Sequence, residues 1–126
     1  MKDLQELCKE YPELYTDVYF ECDNGWYGIL SGLAMAFRDI LKDNLEGEVE
    51  VYQVKEKFGE LRFYYQLHNV TDDEAGLINA IVRLAEVSSG QTCELCGDYG
   101  KSCHKNGWCK TLCETHIKEH GYATGN

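Results

Sequence analysis

Four residues near the C-terminus have the types and spacing of a metal site. Cys93-Glu-Leu-Cys96 is followed, after sixteen intervening residues, by Cys113-Glu-Thr-His116. Two ligand pairs, each with two residues between, are what a tetrahedral zinc ion takes from thiolates and an imidazole. Cys93, Cys96, Cys113 and His116 are therefore the candidate ligands of one structural Zn²⁺ per chain. A structural site fills all four positions with protein atoms, whereas a catalytic one keeps a position open to water. Four good ligands point to the closed kind. The expectation is a protein that is not an enzyme, with no catalytic residue assigned.

The elements around these pairs follow from local chemistry. A tight turn after Cys93 aims both sulfurs inward, and Gly97 lets the chain swing clear. Residues 100–108 suit a short hairpin. Thr111-Leu-Cys-Glu114 reads as a capping box, which predicts a helix from about Leu112 with Cys113 and His116 on one face of its first turn. A helix N-terminus also favours the Cys113 thiolate. This order of knuckle, hairpin and ligand-bearing helix resembles a treble-clef zinc finger. Cys103, His104, Cys109 and His120 are left over, and a second metal would need four ligands from scattered positions. Cys8 and Cys22 read as small buried hydrophobes rather than reactive thiols.

Other chemistries fit poorly. A zinc deaminase needs His-x-Glu before Pro-Cys-x-x-Cys, but Cys93 follows Thr92 and no histidine is suitably placed. Thr111-Leu-Cys-Glu-Thr-His116 also resembles the helix of HNH nucleases. That family places a histidine where this chain has Ile117, and only His104 and Asn106 stand in for its general base. A zinc-finger nucleic-acid-binding protein or a degenerate HNH-like nuclease is the alternative reading. The acidic run Asp17, Glu21 and Asp23 reads as a solvated face rather than a cation site.

The chain has 126 residues, 44% hydrophobic, with 22 acidic and 12 basic side chains and a formal net charge of −10. Such a length supports one modest core. Residues 1–89 hold 18 acidic and 8 basic groups, so they carry the whole −10, while residues 90–126 balance at four of each. Two segments are expected, an acidic body over 1–89 and a zinc-finger module over 90–126, forming one compact unit. An acidic body repels phosphates, so direct nucleic-acid binding is disfavoured. A protein partner, such as a basic nucleic-acid-binding host protein, fits the charge better. The apolar runs are too short to span a membrane, no signal peptide is evident, and clustered thiols suit a reducing compartment. A cytoplasmic location is the expectation.

Within the body, Leu4, Leu7, Cys8 and Tyr11 mark a helix over 2–10, before a tyrosine-rich connection. A long helix over 24–45 carries the stripe Trp26, Ile29, Leu30, Leu33, Phe37, Ile40, Leu41 and Leu45. Gly28 and Gly32 weaken it, which suggests a close approach of another backbone. Residues 48–67 read as a β-hairpin turning near Gly59, with Leu61, Phe63, Tyr65 and Leu67 on one face. Lys55, Lys57 and Arg62 gather three of the eight body cations beside Phe58, a candidate contact for an acidic partner or phosphate. The alternative is that Phe58 packs into the helices while Glu56 and Glu60 balance the lysines. Thr71-Asp-Asp-Glu74 caps a last body helix, buried through Leu77, Ile78, Ile81, Val82 and Ala85. The fold class is thus α+β, helices packed on a β-hairpin with a C-terminal treble-clef-like finger.

Gly25-Trp-Tyr27, Gln53-Val-Lys-Glu-Lys-Phe-Gly-Glu-Leu-Arg-Phe-Tyr64 and Gly107-Trp-Cys-Lys-Thr-Leu-Cys113 together resemble an uncharacterised family of small phage, prophage and bacterial proteins. The likeness spans about residues 20–120 and implies no activity. Glu60 stands where relatives carry glycine, and Cys109 stands at an ordinary position, which speaks against a ligand role. With the acidic body, the phage association suggests a non-enzymatic inhibitor of a bacterial defence system, anti-CRISPR-like, acting by protein–protein binding.

Overall fold

The structure is a computed structural model that describes residues 2–125. Met1 and Asn126, the outer ends of the two expected segments, lie outside the described residues. The fold is α+β. Two short helices, α1 (Glu6–Glu10) and α2 (Pro12–Tyr15), precede strand β1 (Phe20–Glu21). A 3₁₀ turn (Asn24–Trp26) leads into α3 (Tyr27–Ile40), followed by β2 (Glu48–Lys57), β3 (Glu60–His68) and α4 (Asp72–Ser89). The finger contains β4 (Lys101–Lys105), β5 (Trp108–Leu112) and α5 (Glu114–Glu119).

The body sheet has strand order β1-β2-β3. Strands β2 and β3 form the expected antiparallel hairpin, closed by Phe58 and Gly59, which both have positive φ. A two-residue turn of that hand matches the twist of the flanking strands. Strand β1 is an addition to the sequence reading. It pairs parallel to β2, Phe20 opposite Val54, within the tyrosine-rich connection. Two residues carry too little alternation to signal a strand. A bulge between Val51 and Gln53 shifts the side-chain phase, so Val49 and Val54 both point inward.

One face of this sheet packs on α3 and α4. Leu30, Leu33, Phe37, Val54, Leu61, Phe63, Ile78 and Val82 form the core with Leu7, Tyr15 and Trp26. Helix α4 opens with the capping box foreseen: Glu74 N–H bonds the Thr71 hydroxyl at 3.1 Å, and its carboxylate takes the Thr71 N–H at 2.9 Å. Among the described residues, no helix is long and apolar enough to cross a membrane.

Several expectations are corrected. The N-terminal helix starts at Glu6 rather than residue 2. Helix α3 ends at Ile40, and the chain turns through Asn44 to Gly47, leaving Leu45 95% exposed. The Asn44 side chain accounts for the break. It accepts from Gly47 N–H and donates to Glu74 and to the Asn69 carbonyl, offering the backbone a local alternative to helix. Leu77 is exposed as well, because the buried stripe of α4 runs through Ile78, Val82, Ala85 and Ser89, about a hundred degrees around the helix. Among the described residues, nothing beyond the helix itself lies within 4 Å of a Cβ built on Gly28 or Gly32, so the close backbone approach expected against them is not found there.

Candidate metal centre

The finger brings its four predicted ligands together. Ligand atoms of Cys93, Cys96, Cys113 and His116 all lie within 4.8 Å of one another. Cys96 Sγ and Cys113 Sγ are 3.7 Å apart, and Cys93 Sγ is 3.5 Å from His116 Nδ1. Cys113 Sγ lies 3.1 Å from the same nitrogen. A tetrahedral ion with metal–sulfur bonds of about 2.3 Å and a metal–nitrogen bond of about 2.0 Å has edges of about 3.8 and 3.5 Å. Side chains therefore stand close to the corners of such a polyhedron. Nδ1 is the nitrogen turned toward the sulfurs, while Nε2 points away from them, 3.9 Å from the Glu119 carboxylate and beyond hydrogen-bond reach of it.

Local geometry sets this up on both sides. Gly97, with φ +86°, turns the chain after Cys96, and its N–H bonds the Cys93 carbonyl at 2.9 Å. Burial pushes the Cys93 thiol up, yet backbone N–H groups of Cys113, Cys96 and Leu95 directed at its sulfur outweigh that and lower its pKa. Cys96 moves the other way, raised by burial and by the adjacent Cys93 and Cys113 sulfurs. Three sulfurs this close cannot all ionise unaided; a dication removes the conflict and takes all of them as thiolates.

On the second side, Cys113 itself is the N-cap of α5, which begins at Glu114. The predicted capping box on Thr111 does not form. Thr111 is the buried penultimate residue of β5, and its hydroxyl donates to the Gly59 carbonyl at 2.6 Å. A tertiary acceptor outcompetes the local cap. Hairpin β4–β5 is correspondingly longer than foreseen and turns at Asn106-Gly107, both at positive φ.

The centre is wedged into the body. Gly25 N–H bonds the Glu94 carbonyl at 2.7 Å, and Trp26 Nε1 bonds the Thr92 carbonyl at 3.0 Å. Glu94, between the two cysteines of the knuckle, is almost fully buried. Its carboxylate accepts the Asp23 N–H at 3.1 Å and the Lys110 ammonium at 3.1 Å. Lys110 also reaches Glu56 at 3.2 Å, whose other oxygen accepts the Gly59 N–H. Burial raises the Glu94 pKa, with Lys110 opposing. Burial lowers that of Lys110, but Glu94 and Glu56 outweigh it and leave it raised. Gly25, Glu94 and Lys110 were not legible as a joint. The one signal is Gly25 directly before a tryptophan that has to be buried.

The leftover residues stand apart from the cluster. Cys103 is buried against Leu112 and Ile117, its thiol 3.3 Å from the Lys110 carbonyl. His104 is exposed and pairs through its backbone with Ala123. Cys109 lies opposite His104 across the hairpin, and the His120 ring sits 6.0 Å from that of His116. Among the described residues no second group of metal-ligating side chains forms. Cys22 is half-buried, and burial with Glu94 and Asp23 nearby pushes its thiol up to about 12, as suits an inert residue.

At the β2–β3 turn the structure corrects the packing reading of Phe58 and its lysines. Lys55 and Arg62 are cross-strand neighbours, with Glu21 beside Lys55 and Glu60 paired to Arg62 at 3.2 Å. Phe58 does not pack into the helices; it is 71% exposed, with the Lys57 ammonium 5.6 Å from its ring centre. Its place at the turn, in left-handed backbone, holds it off the sheet. Glu56, expected to balance the lysines, turns inward to Lys110 instead. Trp108, equally exposed, faces Phe58 across a cleft of about 350 Å³.

Fold and site define an α+β protein whose C-terminal finger gathers a Cys₃His cluster able to hold a metal ion. No family model matches the chain, and neither a curated protein nor a solved structure does.

Proposed function

We propose that this is a small zinc protein that works by binding another protein rather than by catalysis. The reading rests on one observation: four protein ligands, two of them fully or nearly buried sulfurs, converge on one point as a closed set. A Zn²⁺ held there has no position left for water, so its role is to hold the finger. The working surface is then the body, which carries the −10 net charge. A strongly acidic surface attracts a basic one and speeds encounter with it. A basic nucleic-acid channel is such a surface. The inhibitor reading, a phage-encoded protein blocking a defence nuclease, adds the likeness of the hairpin and finger phrases to phage and prophage proteins.

The test uses the zinc-loaded full chain as bait in host lysate, with captured proteins identified by mass spectrometry. Recovery of a basic nucleic-acid-binding protein, in a complex that weakens as salt rises, supports the reading. Cleavage of DNA or RNA by the purified zinc-loaded protein, lost in His104→Ala, overturns it in favour of a nuclease. A partner held with no salt dependence overturns the acidic-surface account.

A further inference from the structure

Helices α3 and α4 pack side by side on the sheet, and their outward faces are unlike the rest of this charged molecule. From Asn24 to Phe37 there is no charged residue. Gly28, Gly32 and Met35 are exposed on α3. On α4, Leu77, Ala80, Leu84 and Val87 are exposed in turn, spaced three and four apart as in a coiled-coil seam. The four larger side chains, Met35, Leu77, Leu84 and Val87, are each more than half exposed. Together they present roughly 400 Å² of apolar surface, the size that marks an interface on a monomer.

We propose that this face is where a second copy of the chain docks, making a two-fold dimer through α3 and α4. Three observations select a second copy. The face is complementary to itself: open glycines on α3 make a groove, and the leucines of α4 make a ridge beside it. A two-fold axis sets each ridge into the partner's groove, as an isologous contact requires. It supplies the backbone approach that Gly28 and Gly32 lack within their own chain. Charge selects the same occupant. Two acidic bodies repel one another wherever charge is displayed, and this is a face without acidic groups at its centre. On α4 between Leu77 and Val87 the charges are Arg83 and Glu86, and Glu86 is turned to the Phe63 N–H at 3.0 Å. A basic partner, by contrast, finds nothing here to recognise. A stable dimer buries about 800 Å² per partner, so the patch with its polar rim is large enough to nucleate one.

Sedimentation of the zinc-loaded full chain over a concentration series tests this. The wild type is expected to approach twice the 14.4 kDa of one chain. Leu84→Glu puts a charge on the ridge, and Gly32→Leu fills the groove; each is expected to raise the dissociation constant on the order of tenfold or more. Gly32→Leu separates this from misfolding, because an open helical glycine replaced by leucine strengthens the helix. Its thermal midpoint at the lowest concentration and its zinc content should hold or rise while the dimer is lost. Leu45→Glu, off the face, should leave the mass unchanged. A monomeric wild type at all soluble concentrations overturns the proposal. So does a dimer that both face substitutions leave intact, or a face that binds only a different protein.

Discussion

Replacing Gly25 with alanine adds one methyl group at the joint between finger and body. A Cβ there would stand 2.2 Å from the Cys93 carbonyl oxygen and 2.4 Å from the Glu94 carbonyl carbon. Those atoms are backbone of the metal knuckle and cannot rotate away. Ordinary contact begins near 3.4 Å, so one side must retreat by about 1 Å. That retreat breaks the 2.7 Å bond from Gly25 N–H to Glu94 O. Overpacking costs about 1–3 kcal/mol, and a buried donor left unpaired costs about as much. Restricting the unfolded chain returns up to about 1 kcal/mol. The net expectation is a loss of about 3 kcal/mol in denaturant unfolding of the zinc-loaded protein. Because the knuckle carries two ligands, zinc affinity in chelator competition should fall about a hundredfold. Gly76→Ala is the control, since its Cβ meets nothing; it should gain about 1 kcal/mol. If Gly25→Ala matches the wild type in both assays, the knuckle is not seated on the start of α3.

Three further outcomes follow from the same contacts. Lys110→Met leaves the buried Glu94 carboxylate without its cation and should cost about 3 kcal/mol, with Glu94→Gln in the same chain recovering much of it. Zinc removal should shift the emission of Trp26 to the red, because its buried ring is held by the Thr92 carbonyl next to the knuckle; Trp108→Phe isolates that signal. Cys22, with its thiol near 12 rather than 9.0, should alkylate about a thousandfold more slowly than an ordinary thiol at pH 8. Its folded pKa is raised, so the rate should climb about tenfold per pH unit until the thiol ionises. Quantitative mass spectrometry of the labelled protein reads this directly.

How much was legible depended on whether a signal was local. The four ligands lay in the spacing of Cys93, Cys96, Cys113 and His116, because each pair sits on one turn of chain. Helix α4 was announced by Thr71 and Glu74, and β3 by alternation from Leu61 to Leu67. The misses are places where a distant group wins. Thr111 looked like a helix cap and bonds Gly59, fifty-two residues away. Leu45 continued a helical stripe that the Asn44 side chain ends through Asn69 and Glu74. Gly28 and Gly32 looked like sites of close approach, while the real one is Gly25, whose neighbours come from residues 93 and 94. No reading of one segment could pair Glu94 with Asp23, Lys110 and Glu56.

The finger stands or falls by its metal. X-ray absorption at the zinc edge of the purified full chain, with elemental analysis, measures the number and kind of ligands. One zinc per chain is predicted, with three sulfurs at about 2.3 Å, one nitrogen at about 2.0 Å and no water in the first shell. Zinc absent from protein that stays folded, or a shell with an oxygen in place of a sulfur, would contradict it.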